Sequence, residues 1–240
     1  MSTLRNDLGQ PIGPPVGDWQ PPPPPPRDPM NGRFCRLEPL AAEVHGESLF
    51  RANQADTDGG TWTYMGYGPF AALQDYLAWA KEAAAGDDPL FHAILTPDGR
   101  AVGVAGYLRI HPASGSIEVG HIHYSPSLQR TPAATEAMYL MMQRVFSLGY
   151  RRYEWKCDAL NAASRRAAAR LGFSYEGVFR QATVYKRRNR DTAWYAMVDG
   201  EWPALDAAYR RWLAPDNFDQ QGAQRESLAD LTGPLLVARG

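Results

Sequence analysis

The sequence predicts an α/β domain organised around one mixed central sheet. Two periodicities carry that prediction: short stretches alternate apolar and polar residues with period two, and longer ones repeat them at helical spacing. Their order reads β-α-α-β-β-β-α-β-α-β-β. Turn signals join the strands ahead of Thr131 as an antiparallel meander. After Thr131 strand and helix alternate, which calls for a βαβ crossover and places a parallel pair in the same sheet.

The folded part is expected to begin at Arg33, where "RFCRLEPL" alternates as a strand, followed by "AAEVHGESLFRANQ" at helical spacing. "GGTWTYMGYGPF" is a Gly-punctuated aromatic loop. "FAALQDYLAWAKEAAAG" is a second amphipathic helix, stopped by Gly86. "LFHAILTP" and "AVGVAGYLRIHP" flank Asp98-Gly99, a hairpin signal, and "GSIEVGHIHYSP" follows through the turn at Ser114-Gly115. A helix from Thr131 to about Ser147 closes at Gly149. Strand "YRRYEWKCDAL", helix "NAASRRAAARLG" and strand "FSYEGVFRQATVYKR" come next. "NRD" is expected to turn into a last strand, "TAWYAMVD", before the short helix "EWPALDAAYRRWL".

This gives three regions: an N-terminal arm over 1–32, a domain over 33–213 and a polar C-terminal tail over 214–240. The arm contains six consecutive prolines, Pro21 to Pro26. Such a run favours polyproline II and builds no core of its own, so the arm reads as an extended or disordered spacer.

The 240 residues are 44% hydrophobic and carry a formal net charge of −1. That balance suits one globular domain with appendages and gives no electrostatic case for nucleic acid or an anionic membrane. The only cysteines, Cys35 and Cys157, lie far apart in apolar contexts and read as reduced, buried thiols. No Cys/His cluster indicates a metal site. Met1 to Gln20 lacks a cationic start and an apolar core, so no signal peptide is expected, nor is any run long enough to span a membrane. The expectation is a soluble, cytoplasmic protein.

One junction stands out, "YSPSLQRTPAATEAMYLMMQRVF". Thr131 suits an N-cap and Pro132 the first helical position, while Ala133, Ala134 and Thr135 present their amides behind very little side chain. A helix start of that kind binds anions through free N–H groups and the helix dipole. In the next βα unit, Asn161 stands at a helix start with Arg165 and Arg166 in its first turn. Amides, an Asn and two cations suit a ligand with phosphates and amide groups.

With "IEVGHIHYSPSLQRTPAATEAMYLMMQRVF", "NAASRRAAARLGF" and "YEGVFR" in this order, the chain resembles the GCN5-related N-acetyltransferase (GNAT) superfamily, and most its RimJ/RimL-like branch. The resemblance runs from about Arg33 to Leu213. It implies a mostly antiparallel sheet splayed at an acetyl-CoA site, with helices on both faces. It implies that the motif from Gln129 through Arg130 to Ala134 receives the pyrophosphate, with Thr131, Ala133, Ala134 and Thr135 meeting it. Ile122, His123 and Tyr124 would pair their backbone with pantetheine, and Asn161, Ser164 and Arg165 would contact the cofactor. The sequence departs from the motif at Pro132, where the family has Gly.

Acetyl transfer to an amine needs a neutral amine, a partner for the oxyanion and a proton for the leaving thiolate. Glu118, flanked by Ile117 and Val119, is the first candidate for the base, at an offset where related histone-acetylating enzymes carry a Glu. An alternative is that it pairs structurally with a neighbouring cation. His121 and His123 are further candidates and, in a regular strand, face away from Glu118. The family's acidic Tyr falls on Ala168, so Ser164 or water would take its place. Trp62, Tyr64, Tyr67 and Trp155 are expected around the acceptor, with "KRRNRD" at the same end of the sheet. Cys157 lacks a His partner in sequence and is not expected to act as a nucleophile.

The resulting expectation is an acetyl-CoA-dependent N-acetyltransferase. It would acetylate a protein N-terminus or a small-molecule amine by direct attack in a ternary complex. A catalytically weak CoA-binding regulatory or interaction module is the alternative. The sequence is compatible with a homodimer and does not establish one.

Overall fold

The computed structural model describes residues 4–240; the first three residues of the expected arm lie outside it. Eight strands form the main sheet: β3 Met30–Asn31, β4 Arg36–Pro39, β5 Leu90–Leu95, β6 Ala101–His111, β7 Ser116–Tyr124, β8 Arg152–Asp158, β9 Ser174–Tyr185 and β10 Arg188–Val198. Their spatial order is β3-β4-β5-β6-β7-β8-β10-β9, after a small separate hairpin of β1 Leu4–Arg5 and β2 Pro11–Ile12. Within the main sheet every neighbouring pair is antiparallel except β7 and β8. That parallel pair exists because helix α3, Pro132–Ser147, carries the chain back over one face between them.

Helices cover both faces. α1 Ala42–Asn53 and α2 Leu73–Ala85 bury Leu49, Tyr76 and Ala80 against Phe91, Ala93 and Val104 of one face. α3, α4 Ala162–Arg170 and α5 Trp202–Leu213 cover the other, burying Met138, Met142, Leu171 and Tyr209 over Tyr107, Ile117, Val119 and Tyr153. Side chains of a strand alternate between the faces, so each central strand feeds two cores at once. This is why β5 and the first half of β6 are buried throughout, apolar but for His92.

The expected turn at "NRD" lies elsewhere. The chain reverses at Lys186 and Arg187, whose φ angles of 45° and 60° are what a tight two-residue hairpin turn demands. Arg188 already pairs with Tyr185, so Asn189, Arg190 and Asp191 belong to β10.

The arm packs against the domain it precedes. Trp19, Pro22 and Pro25 turn inward at three-residue intervals, the period of polyproline II. Trp19 Nε1 donates to Gly149 O at 2.9 Å and the Tyr150 hydroxyl to Pro23 O at 3.2 Å. Arg144 of α3 donates to Pro26, Asp28 and Pro29 carbonyls at 3.4, 2.7 and 2.9 Å. At the other end, residues 214–240 fold back through α6, Leu228–Thr232. Thr232 Oγ1 donates to Arg170 O, and Tyr175 N to Ala238 O. Among the described residues no helix is long and apolar enough to cross a membrane.

Two consequences are measurable. Arg144→Ala removes the clamp on the arm: stability falls by about 2 kcal/mol in urea unfolding, and limited proteolysis opens the chain between Trp19 and Pro29. His92 is fully buried with neither ring nitrogen hydrogen-bonded among the described residues, and burial lowers its pKa to about 4. The unfolded chain therefore binds a proton that the native state refuses between about pH 6.5 and 4. Stability falls as pH drops through that window, by roughly 3 kcal/mol from this residue, and unfolding of His92→Leu shows a correspondingly flatter pH dependence.

Candidate functional site

The site is opened by a strand pair that ends early. β7 and β8 pair from Ser116 with Arg152 to Val119 with Trp155, and no further. Gly120–Tyr124 and Lys156–Asp158 then face each other as unpaired edges. The cause lies in β7: Val104 pairs with His123 but Gly106 with Gly120, so β7 carries one extra residue there. His121 takes it up at φ 50°.

The bulge corrects one expectation from the sequence. Ile117, Val119, Ile122 and Tyr124 meet the α3 core, with a three-residue step in the middle. His121 and His123 consequently lie on the same face as Glu118, not opposite it, because the bulge shifts the alternation by one residue. His123 stacks on Trp62 with ring centroids 3.6 Å apart, and His121 stacks on Tyr67 at 5.7 Å.

A cavity of about 1700 Å³ passes through the split and joins the two faces. On the α3 side Gln129, Arg130, Thr131, Pro132, Ala134 and Thr135 line it. Thr131 caps α3, its Oγ1 accepting from Ala134 N at 3.2 Å and donating to Leu128 O at 2.6 Å. Ala133 packs toward the core. The Gln129 side chain donates to Tyr124 O at 3.0 Å and ties the helix start to the end of β7. Asn161 and Ser164 line the opposite wall. Asn161 Oδ1 caps α4 through Ser164 N at 3.1 Å, and Trp155 Nε1 donates to Ser164 Oγ at 3.0 Å.

Arg165 does not reach the cavity. Its guanidinium donates to the Tyr195 hydroxyl, and Arg166 lines the wall instead, because adjacent residues of a helix point about 100° apart. Sequence reading also missed Arg170. It lines this half, donates twice to Thr135 Oγ1 at 3.1 Å, and has no carboxylate within salt-bridge reach among the described residues. Burial lowers its pKa, as expected for a cation short of a counter-charge. The spacing of Arg170 from Asn161 on one helix was the available signal. Trp212 of α5, with Phe218 and Gln224 of the C-terminal segment, closes the wall.

The other half is lined by Glu118, His121, His123, Lys156, Trp194 and Tyr64. Glu118 and Lys156 are both nearly inaccessible, with their charged ends 2.8 Å apart. Arg109 reaches the same carboxylate oxygen at 2.7 Å from a left-handed kink in β6, φ 48°. Burial raises the Glu118 carboxyl, and Lys156 and Arg109 pull it back. His121 Nδ1 meets the Tyr67 hydroxyl at 3.2 Å, while Nε2 makes no hydrogen bond to the described residues. Burial, then Arg109, lowers the His121 pKa; burial takes His123 to about 4. His123 Nε2 is engaged by Thr61 Oγ1 at 2.9 Å.

The aromatic loop roofs this half. The Tyr64 hydroxyl donates to Leu160 O at 3.2 Å, Lys186 Nζ to Trp62 O at 2.7 Å and Arg188 to Thr63 O at 3.3 Å. Tyr64 and Trp155 line the cavity, whereas Trp62 and Tyr67 stand behind the two histidines and set their ring planes. Two cations of the basic hairpin, Lys186 and Arg188, are thus engaged by loop carbonyls, while Arg190 lines the cavity.

Residues 35–174 match the family model of the acetyltransferase (GNAT) domain. The chain belongs to the GNAT acetyltransferase family. It is similar to a GCN5-related N-acetyltransferase from Brucella melitensis at 47% identity, over 91% of this chain and 100% of that one, with a TM-score of 0.88. A probable GNAT-family acetyltransferase from Chromobacterium violaceum is 42% identical over 81% of this chain and 98% of that one, TM-score 0.76. Mycobacterium smegmatis RimJ, solved with CoA-disulfide, is 20% identical over 77% of this chain and 94% of that one and shares the fold at a TM-score of 0.65. No match is found among curated proteins.

This GNAT enzyme takes its acetyl group from acetyl-CoA, and the α3 half of the cavity fits that donor. An unpaired strand edge suits the amides of pantetheine. The start of α3 and the uncompensated Arg170 suit phosphates. Arg170→Ala is expected to weaken CoA binding about tenfold by calorimetry, with kcat at saturating acetyl-CoA changed far less.

Proposed function

We propose that the enzyme acetylates a primary amine, a protein N-terminus or a small-molecule amine, by direct attack in a ternary complex, as a RimJ/RimL-like GNAT. The reading rests on the cavity that passes through the sheet at the end of the β7–β8 pairing. It lets a donor on the α3 face and an acceptor on the α1–α2 face meet beside Glu118 and His121. Acetyl-CoA, when bound, supplies an activated thioester. Gly120–Tyr124 would hold its pantetheine arm, and Thr131, Ala134, Thr135, Arg166 and Arg170 its phosphates, with Asn161 alongside.

His121 is the group placed to take the acceptor's proton. Its Nε2 is free at the cavity wall, its ring is fixed by Tyr67, and its lowered pKa keeps it neutral at pH 7. Glu118, held by Lys156 and Arg109, fixes the field beside it and attracts the ammonium form of the acceptor. Ser164 accepts from Trp155 and so retains its own O–H, a proton source where Ala168 offers none. Cys157 has a thiol pushed up by burial, which argues against a covalent acyl-enzyme.

A panel of N-terminal peptides and small amines, read by release of free CoA thiol, tests the proposal. His121→Ala is expected to lower kcat/KM about 100-fold on the best acceptor. Because the His121 pKa is lowered, its own limb in the wild-type pH profile falls below pH 6.5, and the rise above neutrality follows the acceptor amine. Tight CoA binding with no turnover on any amine would instead favour a catalytically weak CoA-binding module, the reading that Pro132 and Ala168 support.

A further inference from the structure

Behind the acceptor loop lies a second cavity, of about 450 Å³, that the acetyl-transfer site does not use. Its back wall is aromatic, formed by Phe50, Trp62, Phe70 and Tyr76. Phe70 stands edge-on between Trp62 at 5.6 Å and Tyr76 at 5.3 Å. Asp56 and Asp58 stand at the rim, and among the described residues neither has a cation within salt-bridge reach.

Asn53 contributes from the last turn of α1. It is only 7% exposed, and among the described residues its Oδ1 meets no donor. A buried carbonyl oxygen without a donor is costly, and a bound N–H group would remove that cost. Aromatic faces and two carboxylates attract positive charge. A hard metal ion asks for six or more oxygens, which an aromatic wall does not provide. Among the described residues no three His, Cys, Asp or Glu side chains gather to hold a metal. The chemistry that satisfies all of these groups is an N–H-bearing organic cation with a short apolar stem.

We propose that this cavity is a second binding site, for a small organic ammonium, set behind the acceptor loop. The site is wired to the catalytic cavity. Trp62 is shared, one face of the cavity wall on one side and stacked on His123 at 3.6 Å on the other. Asp56 accepts from the Thr61 hydroxyl, and Thr61 Oγ1 meets His123 Nε2 at 2.9 Å. An occupant therefore touches Trp62 directly and Thr61 through Asp56, the two residues that hold His123 in place.

The test is calorimetric titration of the full chain with n-butylammonium, in the presence of saturating CoA, with n-butanol as the neutral control. Asp58→Asn is the main variant. It keeps the Oδ1 that accepts from Gly60 N at 3.0 Å, and it lies on the exposed rim. The ammonium is expected to bind with the alcohol at least tenfold weaker, and Asp58→Asn is expected to lose about fivefold. In ¹⁵N spectra the indole resonance of Trp62, assigned with Trp62→Phe, should move on titration. Equal binding of the alcohol, an unchanged affinity in Asp58→Asn, no binding at all, or shifts confined to the Trp155 and Trp194 indoles would each overturn the site. The readout is binding without turnover, so it is decided separately from the acceptor reading.

Discussion

The structure depends on one interrupted ladder. Had β7 and β8 remained paired past Val119, the sheet would be continuous, and its two faces would be two unconnected surfaces. A single extra residue at His121 prevents that. It ends the pairing, opens backbone hydrogen-bonding groups to a ligand, and turns two histidines toward the aromatic loop. The short gap thus creates both the passage and the side chains that line it.

Burying charge beside this passage has a cost, and the arrangement of partners shows how it is met. Lys156 and Glu118 satisfy one another, Arg109 supports the pair from the more exposed side, and Glu154 takes a further bond from Lys156. A paired buried carboxylate is a poor proton acceptor in isolation and a good fixed field. The α3 half is treated differently. Arg170 has a hydroxyl for company and, among the described residues, no carboxylate, so its charge remains available to an incoming anion. One half of the cavity is electrostatically complete and the other is not.

Much of this was legible in the sequence. The element order, the capped start at Thr131 and Pro132, and the crossover through α3 all follow from local chemistry that packing did not override. The face assignment of His121 and His123 was not legible, because alternation assumes a regular strand and a non-glycine residue gives no warning of a left-handed kink. Arg165 was misplaced for a related reason: near a helix start, one residue decides which way a guanidinium turns. Arg170 and Asn53 were missed because what marks them, a missing partner, is a property of the folded surroundings. The arm and the C-terminal segment read as appendages because prolines and polar residues do not announce what they lie on.

The hexaproline segment has a geometric consequence of its own. Trp19, Pro22 and Pro25 reach the domain once per turn of a three-fold ribbon, and Trp19 fills the space beside Gly115 while Arg144 grips the carbonyls beyond. The run therefore acts as a ruler read in steps of three. Lengthening it by a full turn would slide the indole along without rotating it, whereas adding one proline would swing it about a third of a circle away. The repetitive tract is in this sense among the least interchangeable parts of the chain: its composition tolerates much, its count does not.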